Sequence, residues 1–207
     1  STAQFEKETD ENGAFVRQTS AFRGEVTADG SSGFKAETGR YHLYVSYACP
    51  WASRAIIYRK LKGLEDVITM TVVDPVRDEK GWRFLPGDPD PVNGFEYLSE
   101  AYLMTDPDFS DRVTVPLLWD KKTSQAVNNE SSEVIRMLNT EFNEWAENPE
   151  LDLYPLALRP EIDRLNDLIY RSINNGVYRA GFASTQSAYE SAFVELFEAL
   201  DQIDDLL

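Results

Sequence analysis

The first clear hydrophobic pattern is "YHLYVSY" (41–47), a short aromatic and β-branched run of the kind that forms a strand. From Pro50 to Lys62 the apolar positions change period: Trp51, Ala55, Ile56, Tyr58 and Leu61 fall at helical spacing, and Gly63 supplies a stop. "VITMTVVD" (67–74) reads as a second strand, running into a polar loop that ends "GWRF". "PGDPDPVNG" (86–94) is turn chemistry throughout. "VTVPLLWD" (113–120) and "SQAVNN" (124–129) predict a hairpin around "DKKT". "ESSEVIRMLNTEFNEWA" (130–146) predicts a helix whose inner face is Val134, Ile135, Leu138, Phe142 and Trp145. After "ENPELDLYPLALR" only helical patterns remain. "PEIDRLNDLIYRSINNG" opens with Pro160 and stops at Gly176, and the last segment lines up Tyr189, Phe193, Leu196, Phe197, Leu200 and Ile203. Residues 1–40 are polar and broken by "DENG", "ADGSSG" and "ETG", as expected of an extended arm laid over a neighbouring surface.

Strand, helix, strand, loop, hairpin and helix within about a hundred residues fit a thioredoxin-like α/β module, a parallel βαβ unit with an antiparallel edge and a closing helix. The expected organisation is an N-terminal arm (1–40), the α/β domain (41–147) and the start of an all-α domain (148–207). Two helices ending in an apolar "LL" bury little, so further helices are expected downstream, and Ser1 fits a trimmed start.

Composition narrows the function classes. A formal net charge of −16, with 7 Lys and 13 Arg against 36 acidic residues, argues against a nucleic-acid partner and against an anionic membrane surface. It fits a solvated acidic surface, or a source rich in salt or GC. No apolar run approaches the roughly 20 residues of a membrane helix, and no signal peptide opens the chain. A single cysteine excludes an internal disulfide framework and makes a reducing cytoplasm the default compartment.

That cysteine stands in "SYACPWASR" (46–54), where strand meets helix. Cys49 would be the helix N-cap, with Pro50 at the first helical position, where a missing N–H costs nothing. Unpaired N–H groups and the positive end of the helix dipole stabilise a thiolate there; the alternative is an inert buried thiol. Ala52 stands where a C-x-x-C motif would place its second cysteine, so a mixed disulfide needs an external thiol such as glutathione to resolve it. Val115–Pro116 opens a strand, and a cis-proline there would free the preceding backbone for an extended peptide ligand; an edge-strand proline is the alternative. Glu130 and Ser131 open a helix, where they could hold a γ-glutamyl group's amine and carboxylate or serve only as caps. His42, the only histidine, lies in a strand, which disfavours a triad or a histidine metal site. No metal is expected.

In this order, "YVSYACPWASRAIIYRKLKGLED", "GWRF", "VPLLWDKKT", "VNNESSEVIRML" and "NNGVYRAGFA" resemble the glutathione transferase superfamily, most closely its Xi class, the glutathionyl-hydroquinone reductases. The resemblance covers most of residues 41–207. It implies the glutathione transferase fold, a homodimer, glutathione as thiol co-substrate and a small glutathionyl-hydroquinone as substrate. It assigns Cys49 as nucleophile and Tyr178 as proton donor to the departing phenolate. It also implies that Trp82 packs on glutathione, that Arg112, Val113, Thr114 and Val115 meet its backbone, and that Glu130 with Ser131 hold its γ-glutamyl end. Ser53 stands where many relatives carry His. Without the family, Tyr178 reads as a packed aromatic after a helix end.

The same residues leave two alternative functions. One is a general thioltransferase or dehydroascorbate reductase using the same cysteine. The other is a non-catalytic thioredoxin-fold binding module, which has no need of the "CPWA", "VP" and "ES" set together.

Overall fold

A computed structural model describes residues 8–207. The chain divides into two units, Ser20–Leu153 and residues 8–19 with Tyr154–Leu207. Residues 1–7 of the expected arm lie outside the described residues. No helix among the described residues is long and apolar enough to cross a membrane.

The first unit is built on a four-stranded sheet. Its strands follow a small parallel pair, β1 (Val26–Thr27) and β2 (Phe34–Lys35). The sheet strands are β3 (Tyr41–Val45), β4 (Thr69–Val72), β5 (Leu117–Asp120) and β6 (Gln125–Asn128), in the order β4-β3-β5-β6. β3 runs parallel to β4 and antiparallel to β5, and β5 pairs antiparallel with β6, which is the thioredoxin-like arrangement expected from the element order. β3 is buried along its whole length, as its near-continuous apolar run requires. The free edge of β6 is partly covered by the preceding chain. Gly24 N–H donates to Val127 O (2.8 Å), Asn129 N–H donates to Phe22 O (3.0 Å), and the Asn128 amide donates to Gly24 O (2.9 Å).

Helix α1 (Pro50–Leu61) links β3 to β4 and packs on α3 (Ser131–Thr140). α1 ends as expected at Gly63, whose φ of +63° belongs to the left-handed region. Gly63 N–H donates to Lys60 O (3.1 Å) and Leu64 N–H to Arg59 O (2.9 Å), a Schellman closure. A Cβ at residue 63 would stand 2.5 Å from Glu147 Cβ, so sterics and dihedral both require glycine.

Several boundaries differ from the sequence reading. The strand expected over 113–120 begins only at Leu117. Pro116 has no N–H for the ladder, and both backbone groups of Thr114 bond to the Tyr102 hydroxyl instead. The helix expected over 130–146 ends at Thr140 and continues as turns through Trp145. A short helix, α2 (Ser99–Thr105), was not foreseen.

In the second unit, α4 (Arg159–Leu168) gives way to a π-helical turn at Ile169–Asn174, and α5 (Gly176–Gly181) follows before the long α6 (Gln186–Asp204). The expected stop at Gly176 is instead a helix start. Gly176 does not take a left-handed φ, and a Cβ there would meet Leu196 of α6 only at ordinary contact distance, so neither dihedral nor space demands a glycine. Residues 8–19 belong with these helices: Gly13 O accepts from Ser184 N–H (2.9 Å), and the Phe15 ring packs tilted against Phe182 (centroids 5.3 Å apart).

His42 is a satisfied core residue. Its ring nitrogens lie 2.7 Å from Thr69 Oγ1 and 2.9 Å from Thr71 Oγ1, both on β4. Burial lowers its pKa to about 4. Below the ordinary value near 6.5 the unfolded chain therefore binds a proton that the folded site refuses. Stability should fall as pH drops from about 6.5 towards 4, by up to about 3 kcal/mol from this group. His42→Gln, compared with the parent by urea unfolding at pH 6.5 and 4.5, should lose distinctly less stability over that interval. Equal losses would contradict this reading of His42.

Candidate functional site

β3 delivers the chain to Cys49, which has extended dihedrals (φ −101°, ψ 114°) and forms the N-cap of α1, with Pro50 as the first helical residue. An extended residue before proline is what the pyrrolidine ring demands. The turn into the helix is closed by Cys49 N–H to Ser46 O (3.1 Å) and Ala48 N–H to Ser46 Oγ (3.2 Å). Cys49 O then accepts from both Ser53 N–H (3.1 Å) and Ser53 Oγ (3.2 Å). The thiol is 9 % exposed and its Sγ–H points to Val115 O at 3.4 Å. The Cys49 side chain makes no capping hydrogen bond to the first N–H groups of α1.

The peptide between Val115 and Pro116 is cis. Tyr102 of α2, fully buried, fixes the preceding backbone: its hydroxyl donates to Thr114 O (2.7 Å) and accepts from Thr114 N–H (3.2 Å). Burial, outweighing the hydrogen bonds from Thr114 and Asn129, pushes the Tyr102 phenol up to about 12, so it remains protonated. Thr114 Oγ1 accepts from the Asn129 amide (3.0 Å), which joins this segment to the start of α3.

There Glu130 is the N-cap. Its Oε1 accepts from Ser132 N–H (3.2 Å) and Ser132 Oγ (2.8 Å), and its Oε2 from Ser20 Oγ (2.9 Å). Ser131, buried, receives two N–H groups from Arg54 of α1, at 3.0 Å from Nε and 2.7 Å from Nη2. The Arg54 guanidinium also lies 4.0 Å from Glu130 Oε1. Cys49, Thr114, Val115, Glu130 and Ser131 thus form one connected set.

Trp82 has separate surroundings: it is partly buried against the core, its carbonyl accepts from Leu98 N–H (2.9 Å), and Arg77 lies 5.1 Å from its ring. Arg112 and Val113 are half-buried where the chain leads into Thr114. Tyr178 stands in α5 of the other unit, where its ring completes a triangle with Phe15 and Phe182 (centroids at 6.3 and 6.1 Å), with the Arg17 guanidinium 4.4 Å from its ring.

Three residues that hold the connected set together were not foreseen. Tyr102 and Asn129 act through contacts distant in sequence, and nothing local marks them. Arg54 did carry a signal: it is a cation five residues past Cys49 in a helix with two buried positions nearby.

A cysteine at the N-cap position of α1, a cis-proline just ahead of β5 and an acidic-serine start to α3 are thus brought into one unit. A family model described as the glutathione S-transferase N-terminal domain matches residues 48–141. Glutathionyl-hydroquinone reductase PcpF of Sphingobium chlorophenolicum is 51% identical over 198 residues, which cover 94% of this chain and 62% of that protein. The Xi glutathione-S-transferase of Phanerochaete chrysosporium is 52% identical with a TM-score of 0.89, covering 93% of this chain and 67% of the other. Glutathione-bound YqjG of Escherichia coli K-12, a glutathione transferase homologue, is 50% identical with a TM-score of 0.85, covering 89% and 63%. The chain belongs to the glutathione transferase superfamily and, within it, to the Xi class. It spans about 62% of the length of the curated relatives PcpF and YqjG.

Proposed function

We propose that the protein removes glutathione from glutathionyl-hydroquinones through a mixed disulfide at Cys49. The observation that supports this most is Cys49 itself, a lone cysteine at the N-cap position of α1 with its sulfur against the Val115 carbonyl. The Cys49 thiolate attacks the glutathione sulfur. An S–S bond forms, the aryl C–S bond breaks, and its electron pair passes to the ring. The resulting anion takes a proton and leaves as hydroquinone, with Tyr178 as the proposed donor. A second glutathione thiolate then attacks the mixed disulfide, releasing glutathione disulfide and restoring Cys49. Over the cycle one free glutathione thiol and the thioether sulfur end joined in the disulfide, and the aryl carbon that lost the C–S bond is reduced to C–H.

In this reading residues 41–147 form the glutathione-binding domain. Trp82 and Arg112 to Val115 meet the tripeptide, and Glu130 with Ser131 hold its γ-glutamyl end. Support for the last assignment is the buried Ser131 hydroxyl beside a carboxylate, which offers complementary partners to an α-amino acid group. A homodimer in the reducing cytoplasm completes the proposal, the first carried by the class and the second by the chain's sole cysteine.

Cys49→Ser should retain less than a tenth of the hydroquinone-releasing activity with its circular dichroism unchanged, since the side chains are close in size. Activity above that level would sink the covalent route. Tyr178→Phe should slow hydroquinone release by about 10²-fold and leave glutathione exchange with a small aromatic disulfide, whose thiolate is already a good leaving group, near the parent rate. Equal slowing in both assays would make Tyr178 a packing residue.

A further inference from the structure

Of the residues connected to the site, Arg54 has no role in the reaction described above, yet it is held with unusual specificity. Two of its N–H groups converge on the single oxygen of Ser131, at 3.0 and 2.7 Å. Its guanidinium sits 5.5 Å from the Trp51 ring and 4.0 Å from the Glu130 carboxylate. A serine hydroxyl offers two acceptor lone pairs and one donor. With both acceptor sites engaged by the fork, the only hydrogen-bonding capacity left to Ser131 is its own O–H, which must donate.

We infer that Arg54 is a positioning residue that locks Ser131 as a dedicated donor, so that this helix start selects a zwitterionic α-amino-acid end. The inference rests on the proposed glutathione chemistry and deepens it. A carboxylate ligand meets a donating hydroxyl, the backbone N–H of Ser131 at the start of α3 and the nearby guanidinium charge. Glu130, held by Ser20 and Ser132, keeps lone pairs for an ammonium group alongside. The local cation also matters on a chain of net charge −16, whose overall field repels an anion. Because Arg54 lies on the helix that begins at Cys49, the same side chain ties the amino-acid end of the ligand to the helix carrying the nucleophile. Lysine cannot substitute fully, since an ammonium is a point donor without the planar fork.

The test uses binding without chemistry. S-Methylglutathione, which cannot form a disulfide, and S-methylcysteinylglycine, which lacks the γ-glutamyl group, are titrated into the protein by calorimetry. The parent should prefer S-methylglutathione. Arg54→Met should reduce that preference at least tenfold, equivalent to about 1.4 kcal/mol, and Arg54→Lys should recover part of it. In a Ser131→Ala background, Arg54→Met should produce little further loss of preference. A purely structural role would weaken both ligands equally, leaving the preference unchanged, and that result overturns the inference. Should Arg54→Met fail to fold, Arg54→Gln is read by the same criterion. If the parent binds neither ligand, the glutathione reading falls and this inference with it. If the parent binds S-methylglutathione but releases no hydroquinone, the reductase reading fails alone while the preference still judges Arg54.

Discussion

Everything at the candidate site depends on how the central strand is paired. Tyr44 of β3 sits opposite Leu117 of β5 in an antiparallel ladder, so the chain leaving β3 and the chain entering β5 emerge side by side. One carries Cys49 and the other Val115, and their meeting at 3.4 Å follows from that register. A slip of one residue would turn every inward side chain of β3 to the other face, and would separate the sulfur from the carbonyl. Burial of the whole of β3 prevents such a slip. The site is therefore aimed by a core strand, although both of its arms are loops.

Buried charge reinforces that frame. Arg40 grips Asp120 at the end of β5 through two bonds, Nε to Oδ1 (2.9 Å) and Nη2 to Oδ2 (2.6 Å), and the Asp120 side chain is wholly buried. Burial would raise the Asp120 pKa, but the bonds from Arg40, Thr123 and Lys122 together hold it below the usual carboxylate value. At the far end of α1, the buried Lys62 donates to Leu151 O (2.8 Å) and Pro149 O (3.3 Å), and burial pushes its ammonium down. The Arg40–Asp120 pair adds little net stability over an apolar core, but removing one partner leaves the other charge stranded. The effect of these buried charges is to fix geometry: the pair pins the strand beside β3, and Lys62 the end of the helix that Cys49 begins.

Much of this was legible in the sequence because it is local. The switch from strand to helix at Cys49–Pro50 and the stop at Gly63 are set by proline and glycine dihedrals, which act within a few residues. The α3 start at Glu130 and Ser131 was legible for the same reason. Other features depend on distant partners. α2 escaped notice because its N-cap, Leu98, has no capping side chain; Glu100 Oε1 instead reaches back to Glu96 and Tyr97 N–H (both 2.8 Å). The late start of β5 required knowing that Tyr102 takes both backbone groups of Thr114. The π-helical turn at Ile169–Asn174 has no compositional mark at all. Within the site, Cys49 and the Glu130–Ser131 pair could be read directly, whereas the partners that orient them, Arg54, Tyr102 and Asn129, are defined only by the fold.

The central claim is that a protein sulfur, not the glutathione thiol alone, does the chemistry. Conjugating transferases activate the glutathione thiol for attack on an electrophile, while a cysteine at this position competes for sulfur. Intact mass spectrometry of the protein, acid-quenched after a single turnover with a glutathionyl-hydroquinone, separates the two. The account predicts the mass of one added glutathione, mapping to the peptide containing Cys49. Efficient conjugation of a chloronitrobenzene electrophile with no such adduct would contradict it.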